Sequence, residues 1–97
     1  MSYKVFISQP MKGRSDEDVL AERERIIDVV LAMNPEATII DSFIETGDYS
    51  PVKMLGMSLE KLSEADAAVF APGWQEGRGC CIEHEVCVQY GIHILIE

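Results

Sequence analysis

Four short apolar runs alternate along the chain with longer segments in which apolar residues recur at helical spacing. Runs that are apolar at nearly every position are typical of β-strands covered on both faces, as in a parallel sheet. The four predicted strands span residues 3–8, 37–43, 67–72 and 92–97. One helix-like segment therefore separates each strand from the next.

The first predicted helix begins after Ser15, a residue type that caps helices, and three acids follow that complement the positive end of the helix dipole. Asn34 and Pro35 end this helix. We expect the aliphatic part of the Arg23 side chain to pack along the sheet and its guanidinium to lie in water. Contact of Arg23 with a ligand is the alternative. The predicted buried stripe consists of Val19, Leu20, Ile26, Ile27, Val30 and Leu31.

The second predicted helix spans residues 51–63 and begins at Ser50 and Pro51, because serine caps a helix start and proline suits the first turn. The third predicted helix spans about residues 79–90 and stops at Gly91, which suits a C-terminal cap. The predicted inward positions of the second helix are Met54, Leu55, Leu59 and Leu62.

The predicted element order is βαβαβαβ. Right-handed crossovers make such a sheet parallel, with helices on both of its faces. A length of 97 residues leaves room for one domain, which we expect to span residues 1–97. Open parallel sheets bind ligands at the carboxyl ends of their strands, near the switch in strand order. The loops after the first and third strands are therefore the expected functional segments.

The chain carries 8 basic and 17 acidic residues, a net charge of −9. This balance repels a polyanion and excludes polymeric DNA or RNA as a partner class, although a few local donors can still hold a small phosphorylated ligand. No leader peptide and no run of about 18 apolar residues is evident, so we expect a cytoplasmic protein without a membrane partner. Three cysteines, an odd number crowded into eight positions, predict reduced thiols.

The loop after the first predicted strand reads SQPMKGRS, residues 8–15, and directly precedes a helix. Ser8, Gln9, Lys12 and the flexible Gly13 can receive a phosphate or a sugar hydroxyl through side-chain and backbone donors. The loop matches neither the Walker A pattern nor the dinucleotide pattern GxGxxG. An ordinary polar turn is the alternative interpretation.

The loop after the third predicted strand leads into the third helix as PGWQEGRGCCIEHE, residues 72–85. Its three glycines and its proline predict an irregular, backbone-rich loop. Trp74 offers a flat face that can stack on a base, or it anchors the loop by burying apolar area. Arg78 either pairs with a phosphate or forms a surface ion pair with a neighbouring acid.

Glu83 is expected in the first turn or so of the third helix, whose N-terminus points at the expected cleft. There the helix dipole and the free N–H groups keep a carboxylate ionised. An ionised carboxylate can attack an anomeric carbon or stabilise the cation-like transition state of glycosidic cleavage. Glu85 faces the other way and is expected to be a solvated surface acid.

A metal site is the competing interpretation of this segment. Cys80, His84 and Cys87 lie at positions i, i+4 and i+7, so one helical face presents three soft ligands. The pattern lacks a CxxC element or a distant second pair, and buried thiols that pack as small apolar groups explain it better. A redox role for the adjacent Cys80 and Cys81 is weaker still. His93 in the fourth strand is expected to be structural or to lie at a subunit contact.

The chain resembles the short bacterial and phage relatives of nucleoside 2-deoxyribosyltransferases along nearly its whole length. The resemblance is carried by SQPMKG, AERERII, EADAAVFAPGW and GRGCCIEHEVCVQYGI. The element Gly79-x-x-x-Glu83 is similar to the family signature whose Glu is the nucleophile at the deoxyribose C1′. The loop at residues 8–13 is similar in position to the loop that borders the sugar and phosphate in related deoxynucleoside monophosphate N-hydrolases.

This resemblance implies a flavodoxin-like (Rossmann-like) three-layer α/β fold with a four-stranded parallel sheet and a homo-oligomer. It also implies no metal or other cofactor, and chemistry at the N-glycosidic bond of a deoxynucleoside or its 5′-monophosphate. The implied nucleophile is Glu83. The expected substrate-binding residues are Ser8, Gln9, Met11, Lys12, Gly13, Trp74, Arg78 and Gly79.

The chain departs from the family pattern at positions that bear on activity. Ser58 stands where the family has a catalytic Asp, eight residues before Asp66, and Gly77 stands where it has a polar or acidic residue. We also expect the fifth strand and C-terminal segment that complete a neighbour's active site to be lacking. Serine is a poor general acid, so the alternative function is a catalytically weak or inactive nucleotide-binding module. The other candidates for proton transfer are His84, Glu85, Glu76 and Asp48.

Overall fold

The computed structural model describes residues 3–43 and 49–97. In these parts of the chain, four strands form one parallel sheet in the order β2-β1-β3-β4, and three α-helices cover it. The fold is the predicted flavodoxin-like three-layer α/β sandwich. In chain order the elements are β1 (Tyr3–Ser8), α1 (Asp16–Met33), β2 (Ala37–Ile39), α2 (Pro51–Leu62), β3 (Ala67–Phe70), a 3₁₀ turn (Trp74–Glu76), α3 (Arg78–Tyr90) and β4 (His93–Ile96).

The two inner strands explain the continuous apolar runs of the sequence. β1 pairs with β2 through Val5 and Ile39, and with β3 from Val5–Ala67 to Ser8–Phe70. All four residues of β3 are buried, because strands inside a parallel sheet are covered on both faces. β4 pairs with the outer edge of β3 and has an irregularity in register between Ala68 and Val69.

Successive side chains of a strand point to opposite faces, and this divides the core into two clusters. Val5 and Ile7 pack with Val30 of α1 and with Val69. Phe6 points the other way, toward the face covered by α2 and α3. The cluster on that face consists of Phe6, Leu62, Ala68, Phe70 and Cys87.

Local hydrogen bonds at the helix starts confirm the predicted caps. Ser15 Oγ accepts from the N–H of Asp18 at 3.1 Å, and Ser50 Oγ accepts from the N–H of Lys53 at 3.2 Å. Each cap satisfies a backbone N–H that has no partner within its own helix. The first two helices therefore begin at the predicted residues.

Several predicted bounds were wrong by a few residues. β2 ends at Ile39 rather than at residue 43, and β3 ends at Phe70, two residues before Pro72, which has no N–H to donate. α2 ends at Leu62, and α3 begins one residue earlier than expected, at Arg78. Residues 74–76, predicted as irregular loop, form a short 3₁₀ turn.

The predicted apolar stripe of α1 was too wide. Val19 and Val30 are buried, but Leu20 and Leu31 are exposed. Each of these leucines follows a buried valine by one residue, and one residue is about 100° of rotation around a helix. One sheet face does not cover both positions. In α2, Leu62 is buried and the other predicted inward residues are half-buried.

The expectation that the Arg23 guanidinium lies in water was wrong. Arg23 is only 7% exposed. Its guanidinium donates to the Ile40 carbonyl at 2.7 Å and to Ser42 Oγ at 3.3 Å. Ser42 in turn donates to the Ile7 carbonyl at 3.3 Å. Burial lowers the pKa of Arg23, and the charge of Asp41 partly offsets this effect. The side chain thus joins α1 to the carboxyl ends of β1 and β2.

Two glycines are expected to respond in opposite directions to alanine. Gly91 ends α3 with a φ of 73°, so a Cβ there strains the backbone and should lower the free energy of unfolding by about 1 kcal/mol. Gly56 lies inside α2 with open space where a Cβ would project, so Gly56→Ala should raise the free energy of unfolding by roughly 0.5–1 kcal/mol. Urea denaturation measures both changes. Equal stability of the two variants would contradict the role of Gly91 as a left-handed helix cap and of Gly56 as an ordinary helix position.

In residues 3–43 and 49–97, no helix combines the length and the apolar character that crossing a membrane requires.

Candidate functional site at the carboxyl edge of the sheet

A buried carboxylate lies where three elements meet. Glu83 of α3 is 6% exposed, and each of its oxygens accepts one hydroxyl hydrogen bond. Ser8, the last residue of β1, donates to Oε1 at 2.6 Å. Ser58 of α2 donates to Oε2. The fold therefore brings together three residues that the sequence suggested separately.

The environment of Glu83 differs from the expected one. Glu83 is the sixth residue of α3 and lies in the second turn, whereas the field of a helix dipole falls off within the first turn. Burial raises the pKa of Glu83, and the hydrogen bonds from Ser58 and Ser8 lower it without cancelling the effect of burial. Hydroxyl donors, rather than the helix N–H groups, stabilise the carboxylate.

Two thiols flank Glu83 on the same helix. Cys80 and Cys87 are free and buried, and Cys87 packs as a small apolar group in the core cluster beneath α2 and α3. Burial raises the pKa of each thiol to about 11, and the charge of Glu83 adds to the effect. A hydrogen bond with Ser8 acts in the opposite direction on Cys80. Both thiols therefore stay protonated near neutral pH.

His84 belongs to a separate aromatic group. Its ring stacks on Trp74 with centroids 4.2 Å apart and contacts the edge of Phe70 at 5.0 Å. His84 Nε2 lies 2.8 Å from Glu97 Oε2. In the described parts of the chain, no group of three or more His, Cys, Asp or Glu side chains is placed to hold a metal. One face of Trp74 is occupied by His84, and this favours its role as an anchor.

The loop after β1 is braced against α1 by a residue that the sequence did not single out. Glu22 Oε1 accepts from Gln9 Nε2 and from Arg14, both at 3.0 Å. Gln9 also donates to the Val19 carbonyl at 2.9 Å. Burial alone would raise the pKa of Glu22, but the hydrogen bonds from Gln9 and Arg14 lower it below its ordinary value. Gln9 therefore supports the loop, and no spacing in the sequence pointed to this partner.

The two predicted loops meet at Pro10 and Gly77. A Cβ at Gly77 would lie 3.2 Å from Pro10 Cβ and 3.2 Å from Cys80 Sγ, so any larger residue would require these neighbours to shift by a few tenths of an ångström. The remaining expected ligand-binding residues differ in their exposure. Lys12, Gly13 and Arg78 are exposed, and Met11 and Gly79 are half-buried.

The other candidates for proton transfer lie away from Glu83 or outside the described residues. Glu85 is exposed and accepts from Gln89 Nε2 at 2.7 Å, which confirms its prediction as a surface acid. Glu76 is exposed on the 3₁₀ turn. Asp48 lies outside the described residues.

The sequence matches the model of one protein family over residues 3–96, a span that contains all four strands, the serines and Glu83. The chain belongs to the family described as Domain of unknown function (DUF4406). No match was found among curated proteins or among solved structures.

Two surface concavities accompany the site in the described part of the DUF4406 domain. One of about 350 Å³ lies between α1 and the strands β3 and β4, and includes Val29, Val69 and Ile96. The other, of about 340 Å³, lies between α2 and α3 and includes Leu59 and Tyr90. Glu83 lines neither of these two concavities. Its neighbours are the serines and the thiols described above.

Burial of Glu83 makes the stability of the DUF4406 domain depend on pH. The pKa of Glu83 is raised above its ordinary value of 4.5 in the folded chain, so the folded state binds this proton more tightly than the unfolded state. The stabilisation is fully present below the ordinary pKa and is lost as pH rises through the folded pKa. Glu83→Gln should remove this loss.

Urea denaturation of wild type and Glu83→Gln, from mild acid to neutral pH, measures this effect. The free energy of unfolding of the variant should rise relative to wild type with increasing pH. Glu85→Gln, which changes an exposed acid on the same helix, serves as the control. Parallel pH curves for wild type and Glu83→Gln would contradict the raised pKa.

Proposed function

We propose that this DUF4406 domain cleaves or transfers at the N-glycosidic bond of a small deoxynucleoside or deoxynucleoside 5′-monophosphate, with Glu83 as nucleophile. The observation that carries the proposal is the buried Glu83 carboxylate held by Ser8 and Ser58 at the end of β1. Parallel sheets of this type bind their ligands at this edge. The residues also resemble those of nucleoside 2-deoxyribosyltransferases.

The proposed reaction has two steps. A Glu83 oxygen forms a bond to the sugar C1′ while the bond from C1′ to the base nitrogen breaks, and the base leaves with the electron pair and takes up a proton from solvent. Water, or a second base, then forms a bond to C1′ and loses a proton to solvent, while the bond from C1′ to the Glu83 oxygen breaks and restores the carboxylate. Each carboxylate oxygen has two acceptor positions, so one hydroxyl on each leaves electron pairs for the attack.

Charge near the site is compatible with a 5′-phosphate. Lys12 is exposed on the loop after β1 and Arg78 is exposed at the first position of α3, in a chain whose net charge is −9. Cations beside a helix N-terminus can hold one phosphate locally without attracting a polyanion. The proposed substrate is therefore a monomeric nucleoside or nucleotide.

The direct test is incubation with a panel of deoxynucleosides and their 5′-monophosphates, with and without a free acceptor base. Chromatography measures the released base and any exchanged nucleoside. Release without an acceptor indicates hydrolysis, and exchange indicates transfer. If no base is released from any member of the panel, the proposed activity is wrong.

A nucleotide-binding module without turnover is the second candidate, and the position of Ser58 favours it. Ser58 contacts Glu83 as a neutral hydroxyl donor, and serine does not hand a proton to a departing base as a carboxylic acid does. Calorimetry with the same panel distinguishes the candidates. Heat of binding without release of base would support the module.

A homo-oligomer in the cytoplasm is part of the same proposal. Tyr90 is 80% exposed and Val88 is 58% exposed, and contact with a second copy would remove such apolar surface from water. Free Cys80 and Cys87 suit a reducing compartment. Sedimentation velocity measures the oligomeric state, and a monomer at every concentration tested would contradict this part of the proposal.

A further inference from the structure

Glu83 is held entirely by neutral donors from two other elements. Ser8 comes from β1 and Ser58 from α2, and these two residues are called the serine pair here. On its own helix, Cys80 and Cys87 lie close enough for the charge of Glu83 to raise the pKa of both thiols. In the described parts of the chain, no charged side chain acts on the Glu83 pKa. Among residues 3–43 and 49–97, the carboxylate therefore lacks the cation that usually accompanies a buried acid.

We propose that the serine pair positions Glu83, one hydroxyl on each carboxylate oxygen, and keeps it available as an anion in a site without a cation. In this inference Ser8 and Ser58 position the nucleophile, and they neither bind the substrate nor transfer a proton. The expected effect of the serine pair on turnover rests on the proposed function. The expected effect on the pKa of Glu83 does not depend on that function.

The geometry explains why two donors are needed. The terminal torsion of a glutamate side chain is broad, so one hydrogen bond leaves the carboxylate free to turn. Donors on different oxygens, from β1 and α2, fix its plane relative to the sheet and to α3. A fixed carboxylate presents the same electron pairs to each substrate and requires no reorientation during attack.

The hydroxyl proton of Ser8 is used by Glu83. Ser8 is buried and has one hydroxyl proton, which it donates to Glu83. Burial raises the pKa of the neighbouring Cys80 thiol to about 11, so this thiol is protonated and does not compete for the Ser8 proton as a thiolate would. Ser8 has no second proton to donate to a sugar or a phosphate, so a substrate group could reach it only as a hydrogen-bond donor.

Removing one hydroxyl should favour the neutral form of Glu83. Hydrogen bonds to a carboxylate stabilise its charged form, so Ser58→Ala and Ser8→Ala should each raise the Glu83 pKa further. Turnover at a fixed neutral pH should then fall by roughly tenfold to a hundredfold, as expected for a lost hydrogen bond to a charged group. The acidic limb of the pH profile of kcat/KM should move to higher pH.

The experiment combines carbon-13 NMR titration of the glutamate side-chain carboxyls with pH profiles of base release. Ser58→Ala leaves helix formation intact, because alanine is the best helix former. Ser58→Thr retains the hydroxyl and should keep the wild-type titration. Ser63→Ala removes an exposed hydroxyl at the end of α2 and is the control.

The two readouts separate this inference from the proposed function. A Glu83 pKa that is higher in Ser58→Ala and Ser8→Ala, and unchanged in Ser58→Thr and Ser63→Ala, supports the serine pair. A pKa of Glu83 that stays the same in both alanine variants overturns it. If wild type releases no base, the proposed function fails and the NMR titration alone decides about the serine pair.

Discussion

Glu83→Gln is expected to reduce base release by at least about a thousandfold while the protein stays folded. The amide keeps the shape of the side chain and can still accept a hydroxyl hydrogen bond, but it is a poor nucleophile. The side chain is buried between β1 and α2 and the amide fills the same volume, so no space opens beside it for a water to act as nucleophile instead. Initial rates of base release, measured by chromatography, give the loss directly.

The matched control is Glu85→Gln. Glu85 is exposed on the same helix, so its substitution changes the net charge identically and should leave turnover within about twofold. Circular dichroism of all variants checks the fold. Turnover by Glu83→Gln near the wild-type rate would exclude Glu83 as the nucleophile.

Phe6→Ala is expected to lower the free energy of unfolding by about 3–5 kcal/mol. Phe6 is 1% exposed in the inner strand β1 and packs with Leu62, Phe70 and Cys87 in the core cluster beneath α2 and α3. Removing the ring leaves a cavity that a paired inner strand cannot close by moving. Urea denaturation measures the loss, which is large relative to the total stability of a domain of this size.

Val52→Ala provides the comparison for Phe6→Ala. Val52 is exposed in the first turn of α2, so its loss should change stability by no more than about 0.5 kcal/mol. If Phe6→Ala were no more destabilising than Val52→Ala, the ring of Phe6 would not lie in the core cluster.

The fold class was predictable because its signals are local. Ser15 and Ser50 cap helices through the N–H groups of residues three positions later, and Gly91 ends α3 with a left-handed backbone. Strand lengths were less predictable. The pattern of β2 continues to residue 43, but its pairing with β1 ends at Ile39 although β1 continues to Ser8, and a sequence pattern does not show where two paired strands separate.

The candidate site was only partly predictable. Ser8 was singled out by its residue type at the end of a strand, and Glu83 by its residue type near the start of the third helix. Ser58 was singled out by its position eight residues before Asp66, where the similar family has an Asp. Their mutual hydrogen bonds were not predicted, because Ser8 and Glu83 are 75 residues apart in the chain. Glu22 was missed for the same reason, since its acceptor role depends on how the first loop folds back on α1.

The sequence by itself determined the alternation of strands and helices, the capped helix starts, and the presence of a glutamate beyond an inner strand. These features depend on interactions within a few residues, and such interactions do not depend on where distant segments of the chain lie. Only the tertiary structure decided that Arg23 is buried, that Gln9 braces a loop, and that two serines hold Glu83. The physical reason is that burial and long-range hydrogen bonds exist only once the sheet has brought distant segments into contact.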